Sequence, residues 1–299
     1  MTAVVPAESS AEILQNYPAS ADHALVTDHW AALAAAVAGS RKPKSATLQV
    51  VQGRAPGCDD AVAVEQWQRG RSAWLIAACA DGAGSASAGA TGSQVAVAAA
   101  VAACKAQLQS RDRHNGRRRR GLDGATVVAA AKQAVVAAAQ AEHLPVRELA
   151  TTLTCLVAGP SWTWVVQVGD GAAALWPQRA RPGHWQVAIW PARGEYANCT
   201  HFLSDEQVQW SERTMARAGA LALLTDGLMP LGLDFASQQA FSPFFEGMSA
   251  ELRRAEAPAL LPALQAFLAS PRVAERTDDD VSLILAVRRS APVLTTRGD

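Results

Sequence analysis

Apolar runs of two lengths organise this chain, and they are grouped rather than interleaved. SATLQVVQG, AVAVEQW and SAWLIAACA alternate or run apolar over short lengths broken by Gly, Pro and Arg, which predicts strands. Two long stretches follow, GSQVAVAAAVAACKAQLQS and DGATVVAAAKQAVVAAAQAEH, joined by RDRHNGRRRRG. Both are rich in strong helix formers and predict helices. After Pro145 the strand pattern returns in ATTLTCLVAG, TWVVQVGDG, AAALWP and HWQVAIWP, with short Gly/Pro connections of the hairpin kind. Residues 179–217 are the least regular. ALALLTDG then reads as a buried strand, helical windows cover 239–254 and 258–269, and VSLILAVRR predicts a closing strand.

Strands, two helices, strands, two helices, strand is an α+β order with mainly antiparallel pairing, not a βα alternation. Two sheets packed together and flanked by helix pairs would bury all of these runs. Three regions are expected: an N-terminal extension of uncertain order over 1–45, a compact domain over 46–290, and a tail over 291–299. Within the extension, HWAALAAAVAG predicts an alanine-rich helix and SRKPKS a polar break.

Composition narrows the partners. A chain of 299 residues with 49% hydrophobic content can bury a real core. Lys plus Arg and Asp plus Glu are 27 each, so no global field favours nucleic acid or an anionic membrane. No basic leader precedes an apolar core, and no apolar run reaches ~20 residues, so the expectation is a cytoplasmic protein without a membrane span. The five cysteines, Cys58, Cys79, Cys104, Cys155 and Cys199, are scattered without a CxxC and read as reduced thiols.

Four aspartates carry the chemistry. Asp81 ends the run AWLIAACADG, Asp226 ends ALALLTDG, Asp279 opens DDVSLILAV, and Asp60 stands in GCDDAVAV at the start of a strand. One Asp-Gly at a strand end is an ordinary turn. Four carboxylates converging on one sheet edge are costly unless a cation neutralises them. Carboxylate and carbonyl oxygens suit Mg²⁺ or Mn²⁺, and no His/Cys cluster with soft-metal spacing competes. Two such ions ~3.5–4 Å apart can lower the pKa of a shared water and clamp an in-line displacement.

The series GCDDAVAV, ADGAGSASAGATGS, ATTLTCLVAG, VQVGDGAAAL, LLTDGL and DDDVSLILAV, in order and over about 50–287, resembles the motifs of the metal-dependent PPM (PP2C-type) protein serine/threonine phosphatases. DGAGSA and GEYANCTHFL resemble their bacterial stand-alone subgroup. The resemblance implies an αββα sandwich with a dinuclear Mn²⁺ or Mg²⁺ centre at one end. It implies hydrolysis of phosphoserine or phosphothreonine in proteins by a metal-activated hydroxide, opposing a Ser/Thr kinase. Carried over by motif, Asp81 would bridge both ions, Gly82 would offer its carbonyl, Asp60 would join the site, and Asp59 would act through water. Asp226 and Asp279 would hold the second ion, and Asp170 of VGDG a more labile third.

Three positions depart from the pattern. Gly82-Ala83-Gly84 replaces a Gly-His-Gly, so the histidine credited with protonating the leaving group is absent. The only candidate for the phosphate-binding arginine is Arg54, one residue too far from its motif. Asp280 stands where Asn is usual, in the run Asp278-Asp279-Asp280, so the ligand in that run is ambiguous by one position. These departures leave open a PP2C-fold module that binds phosphoproteins with little turnover, or a hydrolase of small phosphate esters. The arginines at 117–120 read as a solvated loop rather than a nucleic-acid patch. The nine tryptophans, including Trp162, Trp164, Trp185 and Trp190, read as strand faces packing on helices. His143 and His184 have no ligand spacing.

Overall fold

The computed structural model describes residues 22–39, 57–70, 72–110, 121–181, 183–191 and 200–289. Eleven of its strands form two sheets in which every pairing is antiparallel. The first contains β1 (His23–Val26), β2 (Trp30–Val37), β7 (Ala172–Pro177), β8 (Gln186–Val187), β10 (Ala218–Leu224) and β13 (Val281–Arg288), in the order β1-β2-β13-β10-β7-β8. The second contains β3 (Ala61–Arg69), β4 (Ser72–Ala80), β5 (Leu153–Ala158), β6 (Trp162–Val168) and β9 (Ser211–Ala216), in the order β3-β4-β5-β6-β9. A two-residue hairpin pairs β11 (Leu233–Asp234) with β12 (Gln239–Ala240).

The layers follow from which residues each face buries. Trp30, Leu75, Leu156, Val165, Leu221 and Ile284 fill the space between the sheets. On the outer face of the five-stranded sheet lie α1 (Gly89–Ser110) and α2 (Gly124–Ala141), whose Val and Ala side chains pack on Ile76, Cys155 and Trp164. On the outer face of the six-stranded sheet lie α4 (Ser242–Arg254) and α5 (Ala257–Leu268), which bury Phe245, Leu252 and Leu264 against Leu33 and Leu285. The remaining short helices are α3 (Met229–Gly232) and α6 (Pro271–Ala274). The result is the four-layer α+β sandwich that the grouping of runs predicts.

One expectation is overturned. HWAALAAAVAG is not a helix in an extension of uncertain order: Trp30–Val37 is strand β2, paired with β1 on one side and β13 on the other. Its even residues, Trp30, Ala32, Ala34 and Ala36, enter the core between the sheets. Its odd residues, Ala31, Leu33 and Ala35, face α5 and the outer core. A strand buried on both faces has no polar alternation to announce it, and alanine's helix preference of a few tenths of a kcal/mol per residue yields to that burial. The compact fold thus includes residues well before position 46. A second strand, β9, lies inside the segment read as irregular; its SERTMA sequence is polar because it forms an exposed sheet edge.

Candidate metal centre

Register alone brings the acids to one pole. Ala61 pairs with Ala80, so Asp60 and Asp81 stand side by side just beyond the last pair of β3 and β4. Leu224 pairs with Leu283 across β10 and β13, which places Asp226 and the run Asp278-Asp279-Asp280 at the same end. Leu153 pairs with Val168, and Leu224 with Ala172, which brings Asp170 there as well.

Asp60 is buried and ties the two sheets together. Its Oδ2 accepts the hydroxyls of Thr225 at 2.7 Å and Ser282 at 2.6 Å, both from the opposite sheet. Its Oδ1 is buried with no hydrogen-bond donor. Burial pushes the Asp60 carboxyl up to about 7; the Ser282 and Thr225 hydroxyls oppose the shift, and the nearby charges of Asp280 and Asp226 add to it. Asp81 is raised well above the usual carboxylate range, first by burial and then by Asp60, Asp226 and Asp279. Every influence on Asp81 raises it, and no basic side chain is among them.

Local backbone fixes Asp81. Its carbonyl accepts the Thr152 N–H at 2.9 Å and the Thr151 hydroxyl at 2.8 Å, and its own N–H donates to Thr152 Oγ1 at 3.0 Å. Gly82 follows in very close quarters: a Cβ there would lie 2.5 Å from the backbone of Gly89, at the start of α1, and 2.9 Å from the Asp59 carbonyl. That carbonyl already accepts the Gly82 N–H at 3.2 Å and the Ser93 hydroxyl at 2.5 Å.

Burial and bonding distinguish Asp279 from Asp280 within the run Asp278-Asp279-Asp280. Asp280 is buried and spends both oxygens on backbone, Oδ1 on the Gly39 N–H at 2.8 Å and Oδ2 on the Asp59 N–H at 2.6 Å. Asp279 is exposed and close enough to act on Asp81. Asp170 accepts the Thr200 hydroxyl at 2.8 Å and is not among the charges acting on Asp60 or Asp81. Arg54, Cys199 and the arginines at 117–120 lie outside the described residues.

A divalent ion fits this donor set chemically. The carboxylates are hard oxygen donors, one buried Asp60 oxygen has no hydrogen-bond partner, and the charges that act on Asp81 are all carboxylates. Among the described residues, no three such side chains close around a common point, so the acids share a pole and a field rather than a finished coordination sphere. Thr225, Ser282, Thr151, Thr152 and Asp280 support the acids; sequence reasoning missed the four hydroxyl residues and weighed Asp280 only as an alternative ligand. A signal existed for two: Thr225 and Ser282 are polar positions interrupting otherwise apolar strand runs beside an Asp.

A family model for protein phosphatase 2C matches residues 53–269, well over half of the chain. The chain belongs to the protein phosphatase 2C family. Among PP2C-related proteins, serine/threonine-protein phosphatase 3 of Escherichia coli (strain K12) is 39% identical over 165 residues, or 52% of this chain and 62% of that protein. This PP2C chain therefore spans less than two thirds of the length of that curated relative. Its fold is shared with a bacterial serine phosphatase (TM-score 0.52, 14% identity, 86% of this chain and 96% of the other). It is also shared with the serine/threonine phosphatase Stp1 of Staphylococcus aureus (TM-score 0.51, 14% identity, 87% and 95%). No helix among the described residues of this PP2C chain is long and apolar enough to cross a membrane.

Proposed function

We propose that this chain is a metal-dependent phosphomonoesterase acting on phosphoserine or phosphothreonine in proteins, opposing a Ser/Thr kinase. The observation that carries the reading is the pole itself: Asp60, Asp226 and Asp279 all act on the buried Asp81, and Asp226 acts on Asp60 as well. Within the family this arrangement calls for divalent ions, and the donor chemistry fits Mn²⁺ or Mg²⁺. Asp81 and Asp60 would hold one ion with the Gly82 carbonyl, and Asp226 and Asp279 would complete the second. When bound, the ions would supply positive charge for the phosphoryl oxygens and acidify a coordinated water.

The chain's own residues do the positioning. Thr225 and Ser282 orient Asp60 through one oxygen and leave the other free to bind. Thr151 and Thr152 fix the Asp81 backbone. A thiol nucleophile has no support: Cys58, Cys79, Cys104 and Cys155 are buried, burial drives the Cys79 thiol well up, and no cysteine has an arginine six residues on. Attack by water in a single displacement remains.

The test compares Mn²⁺-dependent turnover of a phosphothreonine peptide with that of p-nitrophenyl phosphate, and follows the configuration of a chiral phosphorus. Turnover of both that stops with chelator, with inversion, is expected. Turnover of the small ester alone would remove the protein substrate from the proposal, and retention or a trapped phosphoenzyme would remove the mechanism.

A further inference from the structure

Trp176 gathers exposed arginines at the end of the sandwich away from the aspartates. It stands next to last in β7, whose six residues at ~3.3 Å each lead about 20 Å from the aspartate pole. Its indole Nε1 donates to the Arg181 carbonyl at 3.0 Å, and the Arg253 guanidinium of α4 lies 4.7 Å from its ring centroid. Backbone bonds fix the turn that follows: the Ala180 N–H donates to the Pro177 carbonyl at 2.9 Å, and the Gln178 N–H to the Arg217 carbonyl at 3.0 Å. Arg179, Arg181, Arg253 and Arg254 are exposed, and Arg217 is half-buried.

Carboxylates do not match these cations in number. Glu251 pairs with Arg254 at 3.6 Å, Glu246 lies beside Gly183, and Glu256 follows the end of α4. Among the described residues, Arg179, Arg181, Arg217 and Arg253 form no ion pair. Arg253 is nevertheless held in place, by the Trp176 ring and by its Nη1 donating to the Ser249 carbonyl at 3.3 Å. A guanidinium already ordered on an aromatic face gives up less freedom when an anion arrives than one free in solvent.

The placement of the forks selects the partner. Guanidiniums pair with carboxylates and phosphates one fork at a time. Here they stand on a turn, a strand start and a helix end, which suits a flexible segment whose carboxylates adjust to them better than a duplex with phosphates at fixed spacing. The whole chain has a net charge of zero, so no long-range field draws a nucleic acid or an anionic membrane, and the attraction is local.

We infer that the surface around Trp176, with Arg179, Arg181, Arg253 and Arg254, docks an acidic segment of the phosphoprotein substrate away from the metal centre. That the segment belongs to a substrate rests on the proposed phosphatase activity; the surface itself does not. Spanning about 20 Å takes about six or more extended residues between the phosphorylated side chain and the acidic segment.

Two measurements keep the surface and the activity apart. With the full-length chain in chelator, at low ionic strength where exposed charges are least screened, a fluorescein-labelled octaglutamate peptide is titrated by anisotropy. Saturable binding that fades as salt rises is expected, weakened about fivefold or more when Arg179→Gln, Arg181→Gln and Arg253→Gln are combined, and unchanged in Asp81→Asn. Arg179→Gln alone, in an exposed turn, gives the same readout if the combined variant fails to fold. With Mn²⁺, a phosphothreonine peptide is compared with the same peptide carrying octaglutamate about ten residues away. The extension should lower KM and leave kcat unchanged in the wild type, and should do neither in the arginine variant, whose turnover of p-nitrophenyl phosphate should match the wild type. No turnover of any substrate would be a failure of the phosphatase reading, whereas turnover with no effect of the extension on KM would be a failure of the docking surface alone. No saturable octaglutamate binding, equal affinity in the arginine variant, or tighter binding of a duplex oligonucleotide or of phosphatidylserine vesicles through the same arginines would also overturn it.

Discussion

Asp280 holds Asp59 by its backbone: the carboxylate accepts the Asp59 N–H at 2.6 Å while its other oxygen accepts the Gly39 N–H at 2.8 Å. One side chain thereby clamps the end of β2, the approach to β3 and the start of β13. An asparagine can present only one oxygen, so its NH₂ would face one of the two N–H donors. Asp280→Asn should cost about 1–3 kcal/mol of stability, the scale for a buried donor left unmet, and should weaken Mn²⁺ binding by displacing Asp60. Asp279→Asn, at an exposed position, should leave the melting temperature nearly unchanged and lower activity. Chemical denaturation and Mn²⁺ titration of the two variants separate the roles, and a larger stability loss in Asp279→Asn would reverse them.

Asp81→Asn and Asp226→Asn should each lose more than nine tenths of kcat while staying folded, because an amide keeps the shape and removes the charge that an ion requires. Tenfold corresponds to ~1.4 kcal/mol of transition-state stabilisation. Retention of more than a tenth of wild-type kcat in either variant would take that residue out of the metal centre.

The metal-free chain should lose stability as pH rises through the window between the ordinary carboxylate range and neutrality. Asp60 is raised from 3.8 to about 7. Between those values the folded chain holds a proton that the unfolded chain has released, so raising the pH favours unfolding. Asp60→Asn should flatten the slope. Mn²⁺ competes with that proton, so its thermal stabilisation should grow from pH 5 to pH 8. Melting curves with chelator and with Mn²⁺ at several pH values decide this; a metal-free melting temperature that climbs over the window would contradict it.

Gly82→Ala should destabilise the fold by about 1–3 kcal/mol and depress turnover, since its Cβ would meet the backbone of Gly89 at 2.5 Å and of Asp59 at 2.9 Å. Neither obstacle is a movable side chain. Gly247, inside α4 with nothing within 4 Å of a Cβ, offers the opposite case. Gly247→Ala should stabilise by up to about 1 kcal/mol through helix propensity. Urea midpoints of the two variants should therefore move in opposite directions.

How much of this was legible in the sequence depended on whether a residue's neighbours were local. β4 and β10 announced themselves as apolar runs ending in Asp-Gly, and α1 and α2 as long Ala/Val segments, because each signal lies within one stretch of chain. WAALAAAV misled because alanine reads as helical alone and as strand only once β13 and α5 cover its two faces. SERTMA carried no apolar pattern, since an edge strand needs none. The clamp by Asp280 joins positions 39, 59 and 280, and nothing in their spacing reveals it. Asp60 was legible as an acid before a strand, but not as a residue bonded across the sheets by Thr225 and Ser282.

The pairing of β2 with β13 has a consequence for how the chain is made. Trp30–Val37 is made long before Val281–Arg288, its neighbour on one side and the last strand of the sheet in chain order. Until that strand leaves the ribosome, β2 and β10 lack the partner that lies between them, and the six-stranded sheet cannot close. The five-stranded sheet with α1 and α2 has no such wait, because all its strands precede residue 217. Assembly is thus expected in two stages, with the helix-covered five-stranded half forming first and the other half zipping shut once β13 is available.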